Sequence, residues 1–254
     1  MITVHLKPHK EESLLRFHPW VFSGAISSIQ LDKDYPYDTP KEGEIVQVVD
    51  SNGNILGVGH YQIGSIAVRI LSFGASALPA DFWQERIRAA YDVRCSLGLI
   101  IAENNTYRLV HGEGDFLPGL IVDVYADTAV IQAHSVGMHQ HRQEIAESIV
   151  EIVPQVNKVY YKSDDTLPHK ALIQGERVGY LIGADKADFN GDFGRKRMGW
   201  IFVSIGCADK KQVSLLINAI TALYWNSMRK AKKCLTCFVI RVVSPSMHSV
   251  AELN

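Results

Sequence analysis

Five side chains that carry or can accept positive charge, Lys7, His9, Lys10, Arg16 and His18, crowd into LKPHKEESLLRFHPWVFSGAI (Leu6–Ile26). They flank the apolar groups SLL and W-V-F and precede the pair Ser23-Gly24. Lysine and arginine supply phosphate affinity, an exposed ring can stack on a base, and glycine lets backbone approach a phosphate oxygen closely. Lys7, Lys10, Arg16, His18, Ser23 and Gly24 are therefore the candidate RNA contacts. The competing account is a cationic, solvated helix over a small β core, with Trp20 and Phe22 buried.

The remaining chemistry-bearing groups read more plainly. GVGHYQIG (Gly57–Gly64) and GEGDFLPG (Gly112–Gly119) both contain G-x-G, but each leads toward strand sequence. A nucleotide loop needs a helix opening after its glycines, so β-turns are expected instead. His134, His139 and His141 are close in sequence, yet positions two apart on a helix face different ways. A solvated helix start is expected, not a metal site. Cys234 and Cys237 have knuckle spacing without the further ligands that zinc requires, and His248 alone does not complete the set. Asp164-Asp165 and the acidic loop around Glu113 and Asp115 are expected to be solvated turn residues, although paired carboxylates can do acid–base work.

Regular elements must position these groups. GEIVQVVD (Gly43–Asp50) and SIAVRILSF (Ser65–Phe73) alternate as half-buried strands do, and SNGN (Ser51–Asn54) carries a hairpin-turn Asn-Gly. Leu78–Leu99 reads as a helix with Asp81 as N-cap, Trp83, Ile87, Ala90 and Tyr91 on one face, and Gly98 as its stop. Thr106–Glu113 and Leu117–Ser135 read as strands, the second a hairpin around Ala126-Asp127. A second helix is predicted over Met138–Val153, with Ile145, Ile149 and Ile152 on its buried side. Asn157–Ser163 follows as a strand. Beyond about Gly183 the periodicity fades.

The totals set bounds. A chain of 254 residues, 47% hydrophobic and 21% charged, suits one large globular domain or two to three small ones. No apolar run approaches the ~18 residues of a membrane span. MITVHLKPHKEE is polar from its first residues and predicts no secretory signal. Four cysteines then suggest reduced thiols and a cytoplasmic location. The net charge of −1 hides an asymmetry: residues 1–194 hold 16 basic against 25 acidic residues, and residues 195–254 hold 10 against two. Such a shift fits a basic nucleic-acid-binding tail or a change of reading frame.

Two stretches carry a family resemblance. LKPHKEESLLRFHPWVFSGAI resembles the opening of the PUA domain in bacterial large-subunit ribosomal RNA cytosine-C5 methyltransferases of the RlmI type. YRLVHGEGDFLPGLIVDVYADTAVIQAHSVGMHQHRQEI resembles the hairpin and helix of the small domain that follows it. The resemblance runs over roughly residues 3–183. It implies an α+β chain: a PUA-like β-barrel RNA-binding domain over 1–75, then a helix and small α/β linking domain over 76–183. It also implies a Rossmann-like domain that holds S-adenosylmethionine and the catalytic cysteine. In that family's chemistry, the thiolate attacks cytosine C6, C5 takes the methyl group, and a base removes the C5 proton. The partner implied is large-subunit ribosomal RNA; neither DNA nor membrane is expected.

The third domain is incomplete in this chain. Neither the family's GQKTGFFLDQR-like segment nor its VLNMFCYTGGFSFYA-like strand and loop appears as written. Read one nucleotide upstream, however, Lys233–Leu253 permits VLNMFCYTGGFSFYAFRGGA in the standard code. Residues 184–254 are thus expected to be a degenerate or out-of-frame remnant. No catalytic, cofactor-binding or metal-binding residue is assigned. The chain is expected to keep RNA binding and to lack catalysis and bound S-adenosylmethionine. The alternative is a stand-alone PUA-type RNA-binding module with a basic C-terminal tail.

Overall fold

Two sheets built from alternating apolar residues divide the described chain. The computed structural model describes residues 1–102, 104–168, 175–183, 193–197 and 200–204. The first sheet gathers β1 (Ile2–Leu6), β2 (Trp20–Phe22), β3 (Ile26–Gln30), β4 (Ile45–Val49), β5 (Ile55–Tyr61) and β6 (Ile66–Phe73). Its spatial order is β2-β6-β5-β4-β1-β3, and it curls over its own core. Only β1 and β4 run parallel; the other neighbours are antiparallel. Inward residues at period two, among them Val4, Leu6, Val46, Val48, Val68 and Ile70, are fully buried. Burying each side chain of this size contributes roughly 1.5–3 kcal/mol. Leu14, from the single helical turn α1 (Glu12–Leu15), plugs the same core.

The second sheet contains β7 (Thr106–His111), β8 (Leu120–Tyr125), β9 (Thr128–Ala133), β10 (Lys158–Lys162) and β11 (Val178–Ile182). Its order is β11-β10-β9-β8-β7, with β9 and β10 parallel. Helix α2 (Phe82–Ser96) precedes it, and the β9-to-β10 crossover carries α3 (Val136–Gln140) and α4 (Arg142–Ile152). Phe82, Trp83, Ile87 and Ala90 of α2 meet Ile145, Ile149 and Ile152 of α4 in one core with the sheet. A separate hairpin pairs β12 (Phe193–Arg197) with β13 (Trp200–Ser204). The described residues are thus α+β, as expected.

Several expectations need correction. The stretch around Lys7–His18 is not a helix over a sheet; it is strand, one helical turn, strand and a 3₁₀ turn (Ser23–Ala25). Asp81 stands before α2, but its side chain caps nothing. The second helix is broken at His141. Its first part is capped by Ser135, whose Oγ accepts from the Met138 N–H at 3.3 Å. Gly57 and Gly59 lie inside β5, not in a turn. A Cβ at Gly59 would collide with the Arg69 carbonyl across the bulge. The Asn-Gly hairpin forms as read, with the Asp50 carboxylate accepting from the Asn52 and Asn54 N–H groups at 2.8 Å each. Cys207, Cys234, Cys237, His248 and the frame reading of residues 233–253 lie outside the described residues.

Candidate nucleic-acid interface

The candidate residues collect on one side of the first sheet, around its edge strand β2. Lys7 follows β1 and donates from Nζ to the Gly24 carbonyl at 2.9 Å. That partner is neutral, so the ammonium keeps its charge for a second acceptor. A recess of about 370 Å³ opens beside it, lined by Lys10, Ser13, Trp20, Phe22 and Gly24 among others. Gly24 has open space where a Cβ would stand. Ser23 is tied by its N–H to the Ser65 carbonyl at 2.9 Å, which fixes the 3₁₀ turn to the sheet.

Arg16 closes α1 and pairs with Glu12 at 3.1 Å, with 78% and 67% of the two side chains exposed. An exposed i,i+4 pair is worth only ~0.3–0.5 kcal/mol, so a phosphate can take the arginine from it. His18 Nδ1 accepts from the Trp20 N–H at 3.3 Å, leaving Nε2 as the donor of the neutral ring. Within residues 1–75 the acidic side chains fall mostly between Asp32 and Asp50, away from this stretch of sequence.

Aromatic rings interleave with these cations. His18 and Trp20 meet edge-to-face at 5.4 Å, Trp20 and Phe22 at 6.3 Å, and Phe17 and Phe73 at 5.3 Å. The competing account, with Trp20 and Phe22 buried, does not hold: Trp20 is half-buried and Phe22 is 49% exposed. They alternate outward around Val21, which points into the core. Phe17, 65% exposed, is a further ring at this surface that the residue types alone do not single out. Its neighbour Arg16 gives no sign of it, because the exposure depends on how α1 ends.

The other sequence candidates have structural employment. Asp115 is buried beside Arg94 and accepts from both guanidinium ends, with Nη2 to Oδ2 at 2.7 Å. It also accepts from the His111 N–H at 2.5 Å, so it is not a solvated turn residue. Glu113 accepts from Trp20 Nε1 at 3.0 Å, joining the two sheets. Asp164 and Asp165 are exposed in a turn, as read. The three histidines part company. His134 is exposed, His139 is buried against the Tyr161 hydroxyl at 2.7 Å, and His141 pairs with Glu144 at 2.8 Å. The solvated helix start therefore fails for His139, while His141 stands part-exposed at the start of α4. Among the described residues no group of three or more His, Cys, Asp or Glu side chains could hold a metal.

A fourth histidine carries no sequence signal. His60 of β5 is buried where the first sheet meets α2 and α3, its ring near-parallel to His141 at 5.3 Å and stacked on Trp83 at 6.3 Å. Among the described residues neither ring nitrogen has a hydrogen-bond partner. Burial, then the neighbouring His141 and Arg69, pushes its pKa down to about 3. A Cβ at Gly137 would strike this ring.

Gly57 and Gly59 sit inside a strand, and Gly112 and Gly114 form a 3₁₀ turn, so neither pair opens a helix toward a ligand.

Comparison with known proteins follows the same division. Residues 4–73 match the PUA-like domain family. Ribosomal RNA large subunit methyltransferase I of Tolumonas auensis is 33% identical over 183 residues, 71% of this chain and 44% of the relative. Its Shewanella frigidimarina counterpart is 38% identical over 187 residues, 72% of this chain and 44% of the relative. The chain thus spans under half the length of these relatives. Among solved structures, a putative SAM-dependent methyltransferase from Streptococcus mutans superposes with TM-score 0.62 at 17% identity. That match covers 82% of this chain and 50% of the other. A putative methyltransferase complexed with SAH gives 0.61 at 19% identity, over 84% of this chain and 52% of that one.

Proposed function

We propose, from the premise that residues 4–73 are a PUA-like domain and that the chain is a relative of ribosomal RNA large subunit methyltransferase I, that its described part is an RNA-docking platform. The observation that carries this reading is the edge of β2. Lys7, Lys10 and Arg16 stand there with uncommitted or weakly committed charge beside exposed aromatic rings and an open glycine turn. Cations supply affinity and steering toward phosphate; rings add contact with unpaired bases. His18, Ser23 and Gly24 contribute a donor, a hydroxyl and room for close approach.

The partner is large-subunit ribosomal RNA, and the setting is the cytoplasm, where that RNA is assembled. In the whole enzyme, the chemistry is methyl transfer from S-adenosylmethionine to C5 of a cytosine that has left its stack. In this reading, residues 1–75 dock the RNA, residues 76–183 hold that dock in place, and residues 184–254 are an out-of-frame remnant. The chain as written then binds RNA, does not bind the cofactor and does not transfer methyl. Support for that last part is the permitted glycine-loop string in Lys233–Leu253.

Binding to a ribosomal RNA fragment, measured from ~50 to 200 mM salt, tests the dock. Each lost phosphate contact should lower the slope of log K against log salt by about 0.7–0.9. The double variant Lys7→Ala/Arg16→Ala should therefore flatten the slope by roughly 1.5. An unchanged slope would place the phosphate path elsewhere.

A further inference from the structure

Phe17 breaks two local rules at once. Its backbone φ is +61°, in the left-handed region, and the residue is 65% exposed. The conformation is set by how α1 closes. The Phe17 N–H bonds the Leu14 carbonyl at 2.9 Å, and the His18 N–H reaches back to the Ser13 carbonyl at 3.0 Å. This paired pattern is a Schellman ending, in which the left-handed position is normally glycine or asparagine because a Cβ is strained there. A large ring at such a position gains little from the core, since Leu14 fills that role. Strain kept at an exposed site, without compensating burial, points toward function.

The ring is also held. It meets Phe73 at 5.3 Å with the ring planes at 76°, a T-shaped contact that engages at most one face of the Phe17 ring and leaves the other for further contacts. Among the described residues Arg16 precedes it with a guanidinium paired only with exposed Glu12, and His18 follows with Nδ1 taken by the Trp20 N–H, which leaves Nε2 as its donor. A rigid π-face between a phosphate-binding cation and a hydrogen-bond donor fits one ligand class, an unpaired nucleotide.

We infer that Phe17 is a stacking platform for an unpaired base of single-stranded RNA. This rests on the RNA-docking reading and adds to it a residue and a strand state. Duplex RNA keeps its bases stacked inside and offers no face to this ring. Stacking releases no counterions, so its contribution differs from that of Lys7 and Arg16 in salt dependence.

The test uses the full chain carrying Phe17→Leu, which keeps an apolar contact to Phe73 without a π-face, and Phe17→Gly, which suits the backbone. Affinity for a single-stranded oligoribonucleotide is read by fluorescence anisotropy across salt, with a duplex of the same sequence as the second arm. Both variants should weaken single-strand binding by about tenfold, on the order of one stacked base, with an unchanged salt slope. Phe17→Gly should not lower the melting temperature. Equal affinity of parent and variants would overturn the inference while the salt slope of Lys7→Ala/Arg16→Ala still judges the dock itself. A loss shared equally by duplex and single strand would also overturn it. So would variants that keep their RNA affinity but lose self-association, since the ring would then serve protein contact. A parent chain that binds neither RNA would remove the dock and the platform together.

Discussion

Replacing His60 with leucine should flatten the acid limb of this protein's stability curve. The imidazole is enclosed by Trp83 of α2, by His141 beyond α3, and by Arg69, its cross-strand partner on β6; Glu144 bonds His141. Among the described residues nothing accepts from a proton-bearing nitrogen there, and burial holds the ring neutral down to about pH 3. In the unfolded chain the same ring titrates near 6.5. Between those values the unfolded state binds more protons, so stability falls as pH falls, by about 1.4 kcal/mol per unit. From pH 7.5 to 5.0 this one group removes roughly 2 kcal/mol. At neutral pH, leucine also relieves two unsatisfied polar atoms, for which the penalty is ~1–3 kcal/mol. Urea unfolding at both pH values reads the effect. The variant should match or exceed the parent at pH 7.5 and lose about 2 kcal/mol less on acidification. Parallel losses in the two proteins would show that His60 is hydrated or partnered in solution, and the reasoning would fail.

Arg94→Met should cost roughly 3–5 kcal/mol, because it leaves Asp115 charged and buried without its partner, the two side chains being 11% and 9% exposed. The double variant Arg94→Met/Asp115→Leu should recover much of that loss in urea unfolding; equal damage in single and double variants would mean that the pair is not the cause. Purified chain supplied with radiolabelled S-adenosylmethionine and ribosomal RNA should incorporate no label, and measurable incorporation would refute the out-of-frame reading of residues 184–254.

Much of the scaffold is legible in periodicity. The faces of α2 and α4 follow from Trp83, Ile87 and Ala90 and from Ile145, Ile149 and Ile152, because a helix repeats its apolar positions whatever it packs on. The hairpin at Ala126-Asp127 follows from turn chemistry between apolar runs. What stays hidden depends on contacts distant in sequence. Asp115 resembles a turn residue because Arg94 approaches it from a helix that ends well before it. His60 resembles part of a glycine-rich turn because only the assembled molecule brings Gly137 and Trp83 around it. The break at His141 opposes a continuous helical pattern, which also masks Ser135 as a cap. At the candidate interface, residue types are legible, yet exposure is not. Whether Phe22 faces out or in follows from strand pleating around Val21, and whether Phe17 does follows from a helix ending.

No clean seam runs between the two sheets. Leu71 belongs to β6 yet is buried in the core beneath α2, Arg86 of that helix donates to its carbonyl at 3.2 Å, and Gln140 donates to the Glu42 carbonyl at 3.0 Å. The N-terminal half therefore completes the interior of the second core. Grafting the N-terminal half onto a foreign scaffold would have to import the opposing helix surface with it, and the pair is best understood as a single heritable cassette.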